Sequence, residues 1–132
     1  MNDLNNLNSV LLEGNLVRDA ELNATTNGSS VCNFTVASNR YFRHGDDVEK
    51  EVNFFDVVVW GEKAKPCSEQ GFKGRSVRIV GRLKQDRWDS IDGKNHSKVK
   101  IVAEHVEFRP FTKKKVEEVG GSLSANPEPI EE

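Results

Sequence analysis

The chain has 132 residues, of which 36% are hydrophobic and 30% are charged, a balance typical of a single soluble domain. Its apolar runs are short, as at 57–60, and fall well below the ~18 residues of a membrane helix, so we expect no membrane segment. The N-terminus lacks a basic region followed by an apolar core, so we expect no signal peptide and a cytoplasmic location.

The net charge of −2 at first argues against a nucleic-acid binder, because such proteins are often strongly basic. The charges are, however, segregated along the chain. Residues 71–103 contain nine Lys or Arg against three acids, whereas residues 116–132 contain five acids and no base. A basic surface and an acidic tail can cancel in the total charge and still act separately in space.

The first half of the sequence predicts three strands separated by turns. Residues 9–22 predict a first strand that bends at Gly14, since an isolated glycine in a strand pattern indicates a bulge or a tight bend. Asn27-Gly28 predicts a hairpin turn into a second strand over 31–43. The core face of a third strand, 51–60, carries Phe55, Val57 and Val59. The opposite face, which mixes an acid with two large aromatic rings, carries Phe54, Asp56, Val58 and Trp60.

The second half predicts one short helix and two further strands. The helix covers 62–72, because Gly71 is typical of a helix end. A fourth strand covers 75–84, and a turn at Asp92-Gly93 leads into a fifth. The residues predicted to point into the core of these two strands are Val77, Ile79, Leu83, Val99 and Ile101. The residues predicted to line the opposite face are Arg78, Arg82, Lys84, Lys98 and Lys100.

Three strands, one short helix and two strands follow the order of the OB-fold, a partly open five-stranded barrel that often binds oligonucleotides. We therefore expect residues 1–112 to form an all-β domain with one short helix, arranged as a five-stranded OB-fold barrel. Residues 113–132 combine turn formers and acids with few apolar side chains. Such a segment cannot bury enough surface to offset its ordering entropy, so we expect a disordered acidic C-terminal tail.

The sequence offers no catalytic or metal-binding constellation. Cys32 and Cys67 form no CxxC or Cys/His cluster, so we expect no zinc site and interpret both as buried free thiols. The three histidines are scattered among charged neighbours, and residues 71–76 lack the spacing of a phosphate-binding P-loop. We therefore expect no catalysis, no cofactor and no metal.

Aromatic and basic residues alternate at several points of the chain. Single-stranded nucleic acid offers base faces that stack on aromatic rings and phosphates that attract Lys and Arg, so this combination is typical of proteins that bind it. The candidates for base stacking are Phe42, Phe54, Trp60 and Trp88. The candidates for phosphate contact are Arg40, Arg43, Lys63, Lys73, Arg82, Lys84, Arg87, Lys98 and Lys100.

Each aromatic also has a plainer interpretation as an ordinary core residue. The polar neighbours of Trp88 argue against it there, since core tryptophans rarely sit in such a run. For Phe54 and Trp60 it stays open, because strands in barrels can bury both faces locally. Phe42 follows Tyr41, and one of the two could simply pack. The basic residues, in turn, could form only a solvated face.

Several segments, taken in order, resemble one known family. They are Val10–Glu21, Asn27-Gly28, Asn33–Ser38, Val57–Gly61, Lys73-Gly74, Val80–Leu83 and Arg87-Trp88. Together they resemble bacterial single-stranded DNA-binding proteins over about Asn8 to Phe108. The resemblance implies an OB-fold protein that coats single-stranded DNA during replication, recombination and repair, without catalysis and with weak sequence preference. It also implies a homotetramer in the cytoplasm, associated with the nucleoid.

The resemblance assigns base stacking to four positions, where this chain has Phe42, Phe54, Trp60 and Trp88. The family commonly carries Trp at the first two and Phe at the third, so each exchange keeps a flat ring. Its tail usually ends in acids followed by a Pro-Phe pair that docks onto replication and repair proteins. Here the corresponding candidates for partner binding are Ile130, Glu131 and Glu132, and a plain solubilising tail is the alternative.

The sequence has two alternative functional interpretations. One is an OB-fold protein-interaction accessory factor with weak DNA binding. The exchanges at 42 and 54 leave room for it, and so do Phe55 and Arg78, which stand where the family often has His and Tyr between subunits. Tight binding of oligo-dT distinguishes a coating protein from such a factor. The other is sequence-specific RNA binding, which is disfavoured because nothing in the sequence resembles a surface for hydrogen bonding to base edges.

Overall fold

The computed structural model describes residues 4–110, which form six strands and one short helical segment. The strands are β1 (Val10–Leu16), β2 (Glu21–Ala24), β3 (Ser30–His44), β4 (Asp47–Trp60), β5 (Ser76–Asp89) and β6 (Asn95–Phe108). The helical segment is a 3₁₀ turn, Gly61–Lys63, followed by α1 (Ala64–Gln70). The predicted tail, 113–132, lies outside the described residues. Within 4–110, no helix is long and apolar enough to span a bilayer.

Five of the strands close into a barrel in the order β1-β5-β6-β4-β3 and back to β1. Closure comes from two antiparallel pairs between β1 and β3, Asn15 with Ala37 and Leu16 with Val36. All neighbours are antiparallel except β4 and β6, which run parallel. This is the OB-fold arrangement, and it confirms the prediction of an all-β barrel with one short helix.

The single first strand predicted over 9–22 is wrong, because the structure breaks it into β1 and β2. After Leu16 the chain leaves β5 and crosses the end of the barrel. There Val17 N–H donates to the Thr35 carbonyl, and Ala20 N–H donates to the Gly71 carbonyl. β2 then pairs with β3 as an extension outside the closed barrel. The sequence shows no break here, because these hydrogen bonds involve backbone groups far away in the chain.

The barrel core is built from small and branched apolar side chains. Its buried residues are Leu16, Cys32, Phe34, Val36, Val57, Val59, Ala64, Cys67, Val77, Ile79, Ile101 and Ala103. The helix closes one end through Ala64 and Cys67, its two buried residues. It ends where predicted, since the Gly71 N–H donates to the Cys67 carbonyl. Both cysteines are buried and free, as the sequence predicted.

Two glycines lie where neighbouring backbones come too close for a side chain. A Cβ at Gly14 would lie 2.3 Å from the Ala37 carbonyl oxygen, where β1 closes onto β3. A Cβ at Gly81 would lie 2.3 Å from the Val102 carbonyl oxygen. Gly81 also borders the irregularity in the β5–β6 ladder, so it marks where that hairpin bends away from the barrel.

Two long hairpins, β3–β4 and β5–β6, extend beyond the barrel, and they correct several predicted core positions. Leu83 and Val99, expected inside, are 47% and 54% exposed, because the β5–β6 ribbon has left the barrel there. Phe55 is 38% exposed because the β3–β4 ribbon is likewise leaving the barrel at that point. Val58, expected on the outer face, is instead buried with Val31 and Val102 in a small second cluster.

Candidate nucleic-acid interface

One face of the sheet gathers three of the four predicted stacking residues. Phe54 and Trp60 point to the same side of β4, since they are separated by an even number of residues. Their side chains are 64% and 47% exposed, which rules out the core interpretation left open by the sequence. Between them, Val58 pairs with Val102 of β6 and forms an apolar floor beneath the face.

Trp88 continues this face on the β5–β6 hairpin and is 49% exposed. It pairs with His96, and their rings stack with centroids 5.6 Å apart and planes 17° from parallel. Because His96 covers one side of the indole, a base can stack only on the other side. The sequence predicted Trp88 at the tip of the hairpin. It lies instead within β5, a little before the tip, because both strands of the hairpin are longer than predicted.

Phe42 lies apart from the other three rings. In the β3–β4 ladder it pairs with Glu49, and alternation puts it on the opposite face from Phe54. Its ring is half-buried, and the Arg40 guanidinium carbon lies 4.8 Å from its centroid. Strand alternation puts Tyr41, its neighbour, on the same face as Phe54, and Tyr41 is 58% exposed. The structure therefore brings three of the four candidates together.

Four of the nine predicted phosphate contacts lie on the face that carries Trp88. Strand alternation and the β5–β6 register bring together Arg82, Lys84, Lys98 and Lys100. Two more belong to the long hairpins. Arg87 points to the opposite side of β5 and donates to Gln85, and Arg43 lies near the exposed tip of β3–β4.

The remaining three basic candidates lie elsewhere. Arg40 pairs with Glu51 at 3.3 Å on the face of Phe42. Lys63 follows Trp60 in the 3₁₀ turn and donates from Nζ to the Glu104 carbonyl at 2.5 Å. Lys73 lies between α1 and β5, where its backbone N–H donates to Asp19. The predicted tail residues Ile130, Glu131 and Glu132 lie outside the described part of the chain.

An open groove lies on the side of the sheet that carries Asp56 and Lys98, and the three rings stand outside its lining. Its polar lining includes Arg18, Thr35, Asp56, Asp86, Lys98 and Lys100. Sequence reasoning missed Arg18, because the predicted continuous strand gave it no reason to reach the groove. It noted Asp56 as unusual among aromatics without assigning it a partner. The alternation of Asp with Phe and Trp on β4 was the available signal.

Both groove aspartates are held ionised by lysines. The pKa of Asp56 is lowered first by the hydrogen bond from Lys98 and then by that from Thr35. The pKa of Asp86 is lowered by hydrogen bonds from Lys84 and Lys100. The groove therefore mixes cations and anions at neutral pH. Among residues 4–110, no group of three potential metal ligands lies together.

Comparison with known proteins agrees with this fold. Residues 7–109 match the model of the single-strand binding protein family. The chain belongs to this family. The match covers most of the chain, including every strand and the helix, so the resemblance drawn from short segments is confirmed. Because the family consists of DNA-binding proteins rather than enzymes, the expectation of a non-catalytic protein is also confirmed.

Curated relatives are bacterial single-stranded DNA-binding proteins. One from Treponema pallidum is 45% identical over 102 residues, which cover 77% of this chain and 57% of the relative. One from Aquifex aeolicus is 35% identical over 127 residues, covering 96% of this chain and 84% of the relative. Single-stranded DNA-binding protein 2 from Clostridium acetobutylicum is 33% identical, and the match covers 81% of this chain and 80% of the relative.

Solved structures show the same fold at low sequence identity. The Plasmodium falciparum SSB in complex with single-stranded DNA superposes with a TM-score of 0.72 at 20% identity, covering 83% of this chain and all of that one. A deletion mutant of the Thermus aquaticus single-stranded DNA-binding protein superposes with a TM-score of 0.71 at 23% identity. The match covers 79% of this chain and 51% of that one. The single-strand binding family therefore keeps this barrel while most of its sequence changes.

Proposed function

We propose that this protein binds and coats single-stranded DNA without strong sequence preference during replication, recombination and repair. The observation that carries the proposal is one sheet face with three exposed aromatic rings, Phe54, Trp60 and Trp88, beside four Lys or Arg side chains. Large apolar side chains exposed together on one face are typical of an interaction site. Bases offer flat apolar faces of the right size, and family membership supports the same ligand.

In this mechanism the strand lies across the barrel face and over the two long hairpins. Bases stack on Phe54, Trp60 and Trp88, and on Phe42 where the strand passes around the β3–β4 hairpin. Stacking is tolerant of sequence because every base has a π face. Lys and Arg neutralise phosphates and release counterions, which makes binding weaken as salt rises. The reaction is an equilibrium, and it needs neither cofactor nor metal.

We propose further that residues 1–112 form the binding domain of a homotetramer and that 113–132 form a flexible tail. The setting proposed for it is the cytoplasm, in association with the nucleoid. Light scattering of the full chain tests the assembly, and a mass of four chains is expected. For the tail, Ile130, Glu131 and Glu132 are proposed to recruit replication and repair proteins. In a pull-down, a chain without residues 127–132 that still binds the partners unchanged would contradict this role of the tail.

Fluorescence anisotropy of labelled oligo-dT tests the main proposal. The full chain is expected to bind oligo-dT tightly, to bind a duplex of equal length far more weakly, and to lose affinity between about 50 mM and 200 mM salt. Lys100→Gln is expected to lower the salt slope by up to about 0.7, and by less to the extent that Asp86 already pairs with Lys100. Lys65→Gln, on exposed α1, is the control and is expected to leave the slope unchanged. Equal affinity for duplex and single strand would contradict the proposal. Weak binding to both would favour the accessory-factor alternative.

A further inference from the structure

The face proposed to bind DNA contains acids as well as bases. Asp56 lies on β4 between Phe54 and Trp60, and Asp86 lies on β5 two residues before Trp88. DNA is a polyanion, so a carboxylate in the path of its backbone opposes binding unless it has another role. The contacts of these two carboxylates indicate what that role is.

Asp56 is held by two donors, one at each oxygen. Thr35, its partner in the β3–β4 ladder, donates from Oγ1 to Oδ1 at 2.8 Å. Lys98 Nζ lies 2.5 Å from Oδ2. The ion pair bridges from β4 to the β5–β6 hairpin, and the Lys98 side chain is 61% exposed. The same ammonium is therefore within reach of a phosphate in the groove.

Asp86 has the same arrangement on β5, which is separated from β4 by β6. Lys84 Nζ lies 2.7 Å from Oδ1, and Lys100 Nζ lies 2.9 Å from Oδ2. The ladder places Asp86 opposite Lys98 and Lys84 opposite Lys100, so these four side chains form one compact block. Arg82, the fourth of the cations described above on this face, has Nε 3.8 Å from Glu104. Each of the four cations thus contacts a carboxylate of the protein itself.

A phosphate that enters the groove must take these lysines from their carboxylates. A lysine that stays with its carboxylate does not neutralise a phosphate, so fewer of the cations condensed on the DNA are released when the complex forms. Once a lysine has turned to a phosphate, the carboxylate left behind repels the strand. Both effects lower affinity and flatten its salt dependence.

We propose that Asp56 and Asp86 are intramolecular competitors of the DNA phosphates and set the strength with which this protein holds single-stranded DNA. The inference rests on the proposed function and adds two residues that tune it. It differs from a role in base recognition, in which a carboxylate accepts hydrogen bonds from the amino groups of cytosine or adenine. Thymine carries no such amino group, so the two roles give different results with different oligonucleotides.

Asp56→Asn and Asp86→Asn, each in the full chain, test the proposal. Asn keeps the side-chain shape and removes the charge. Glu69→Gln, on exposed α1, is the control because it changes the net charge equally outside the groove. Circular dichroism and a melting curve establish that each variant is folded. Asp86 lies on the hairpin that protrudes from the barrel, so its variant is expected to fold even if that of Asp56 does not.

Binding is measured with oligo-dT and oligo-dC over a series of salt concentrations. Each Asp variant is expected to bind both oligonucleotides roughly threefold to tenfold more tightly at low salt and to steepen the salt slope by up to about 0.7 per freed lysine. The Glu69 control is expected to change affinity less than about twofold. Unchanged affinity in both Asp variants overturns the competition, and so does a loss confined to oligo-dC, which would assign base recognition instead. Failure of wild type and both variants to bind either oligonucleotide overturns the proposed function itself.

Discussion

At the scale of single residues, Trp88 gives the clearest physical argument. Its indole is 49% exposed and is backed on one side by His96, so it is held in place with its other side open. A ring already held by a neighbour loses little conformational freedom when a base stacks on it. We therefore expect Trp88 to contribute more to DNA binding than a freely rotating side chain of the same size.

Trp88→Ala is expected to weaken oligo-dT binding by about 1–3 kcal/mol, the usual contribution of one stacked base. Trp88→Phe keeps a flat ring and is expected to retain most of the affinity. The measurement is an anisotropy titration at fixed salt. Because lysines are unchanged in both variants, the salt slope is expected to stay as in wild type. Equal affinity of Trp88→Ala and wild type would contradict the stacking role.

The two cysteines make a second residue-scale prediction. Both sulfurs are buried, so alkylating reagents cannot reach either of them in the folded chain. In the folded chain both thiols are expected to react with a maleimide or an aromatic disulfide far more slowly than a free thiol. In denaturant both are expected to react fully. Rapid reaction of the native protein would contradict the burial of this pair.

The Asp56–Lys98 ion pair makes a prediction about pH. Asp56 has a lower pKa in the folded chain than in the unfolded one, so its contribution to stability is complete above the unfolded value of about 3.9 and is lost as pH falls through the folded pKa. Between about pH 7 and pH 3, wild type is expected to lose more stability than Asp56→Asn. The difference is expected to stay below ~1 kcal/mol, because the carboxylate is 40% exposed and screened by solvent.

Urea unfolding at both pH values measures this difference. Asp89→Asn, at the exposed end of β5, serves as the control and is expected to lose as much stability as wild type on acidification. If Asp56→Asn loses as much as wild type, the ion pair contributes nothing to the folded state.

At the scale of elements, period-two alternation predicted the strands and their inner residues well wherever they belong to the barrel. Val57, Val59, Val77, Ile79 and Ile101 are all buried as predicted. Alternation failed where the hairpins leave the barrel, because local sequence does not tell how far a ribbon extends past its packing partners. It also failed in the first strand, where backbone hydrogen bonds to distant segments decide the break.

Closure of the barrel at β1 and β3 depends on Gly14. A methyl group there would meet the Ala37 carbonyl oxygen at 2.3 Å and the Val36 side chain at 2.6 Å, so the two strands would have to separate. Gly14→Ala is expected to lower the free energy of unfolding by about 1–3 kcal/mol, as other overpacked sites do. Urea denaturation measures the change.

The exposed strand residue Gln85 provides the control for this experiment. Gln85→Ala is expected to stay within about 0.5 kcal/mol of wild type. A Gly14→Ala protein as stable as the Gln85→Ala protein would show that β1 and β3 can separate here without loss, and that this contact does not hold the barrel closed.

At the scale of the whole molecule, the sequence predicted the fold and the chemistry of the site better than its geometry. Phe54, Trp60 and Trp88 could be chosen because large rings stood among polar neighbours. The position of Phe42 on another face follows from the β3–β4 register, which depends on the exact length of the hairpin. The pairing of Lys98 with Asp56 joins two strands that are far apart in sequence, and no local pattern indicates it.

Residues 4–110 form a closed barrel that carries two exposed ribbons, with the aromatic face where they meet. Closure fixes the spacing of β4 and β6, and thereby places Phe54 and Trp60 of β4 beside the cations of the β5–β6 hairpin. The ribbons enlarge the surface that a flexible strand can follow. Stacking of bases on this face is therefore the central interaction proposed for the protein.

Intrinsic fluorescence tests that claim most directly, because the two tryptophans of the chain, Trp60 and Trp88, both lie on this face. The protein is titrated with oligo-dT at low salt and at high salt. At low salt we expect strong quenching that saturates at a fixed ratio of nucleotides to protein, and at high salt we expect weaker affinity, so that more oligonucleotide is needed for the same quenching. An unchanged tryptophan signal from folded protein, at oligo-dT concentrations where anisotropy reports binding, would show that DNA binds elsewhere and would contradict the account.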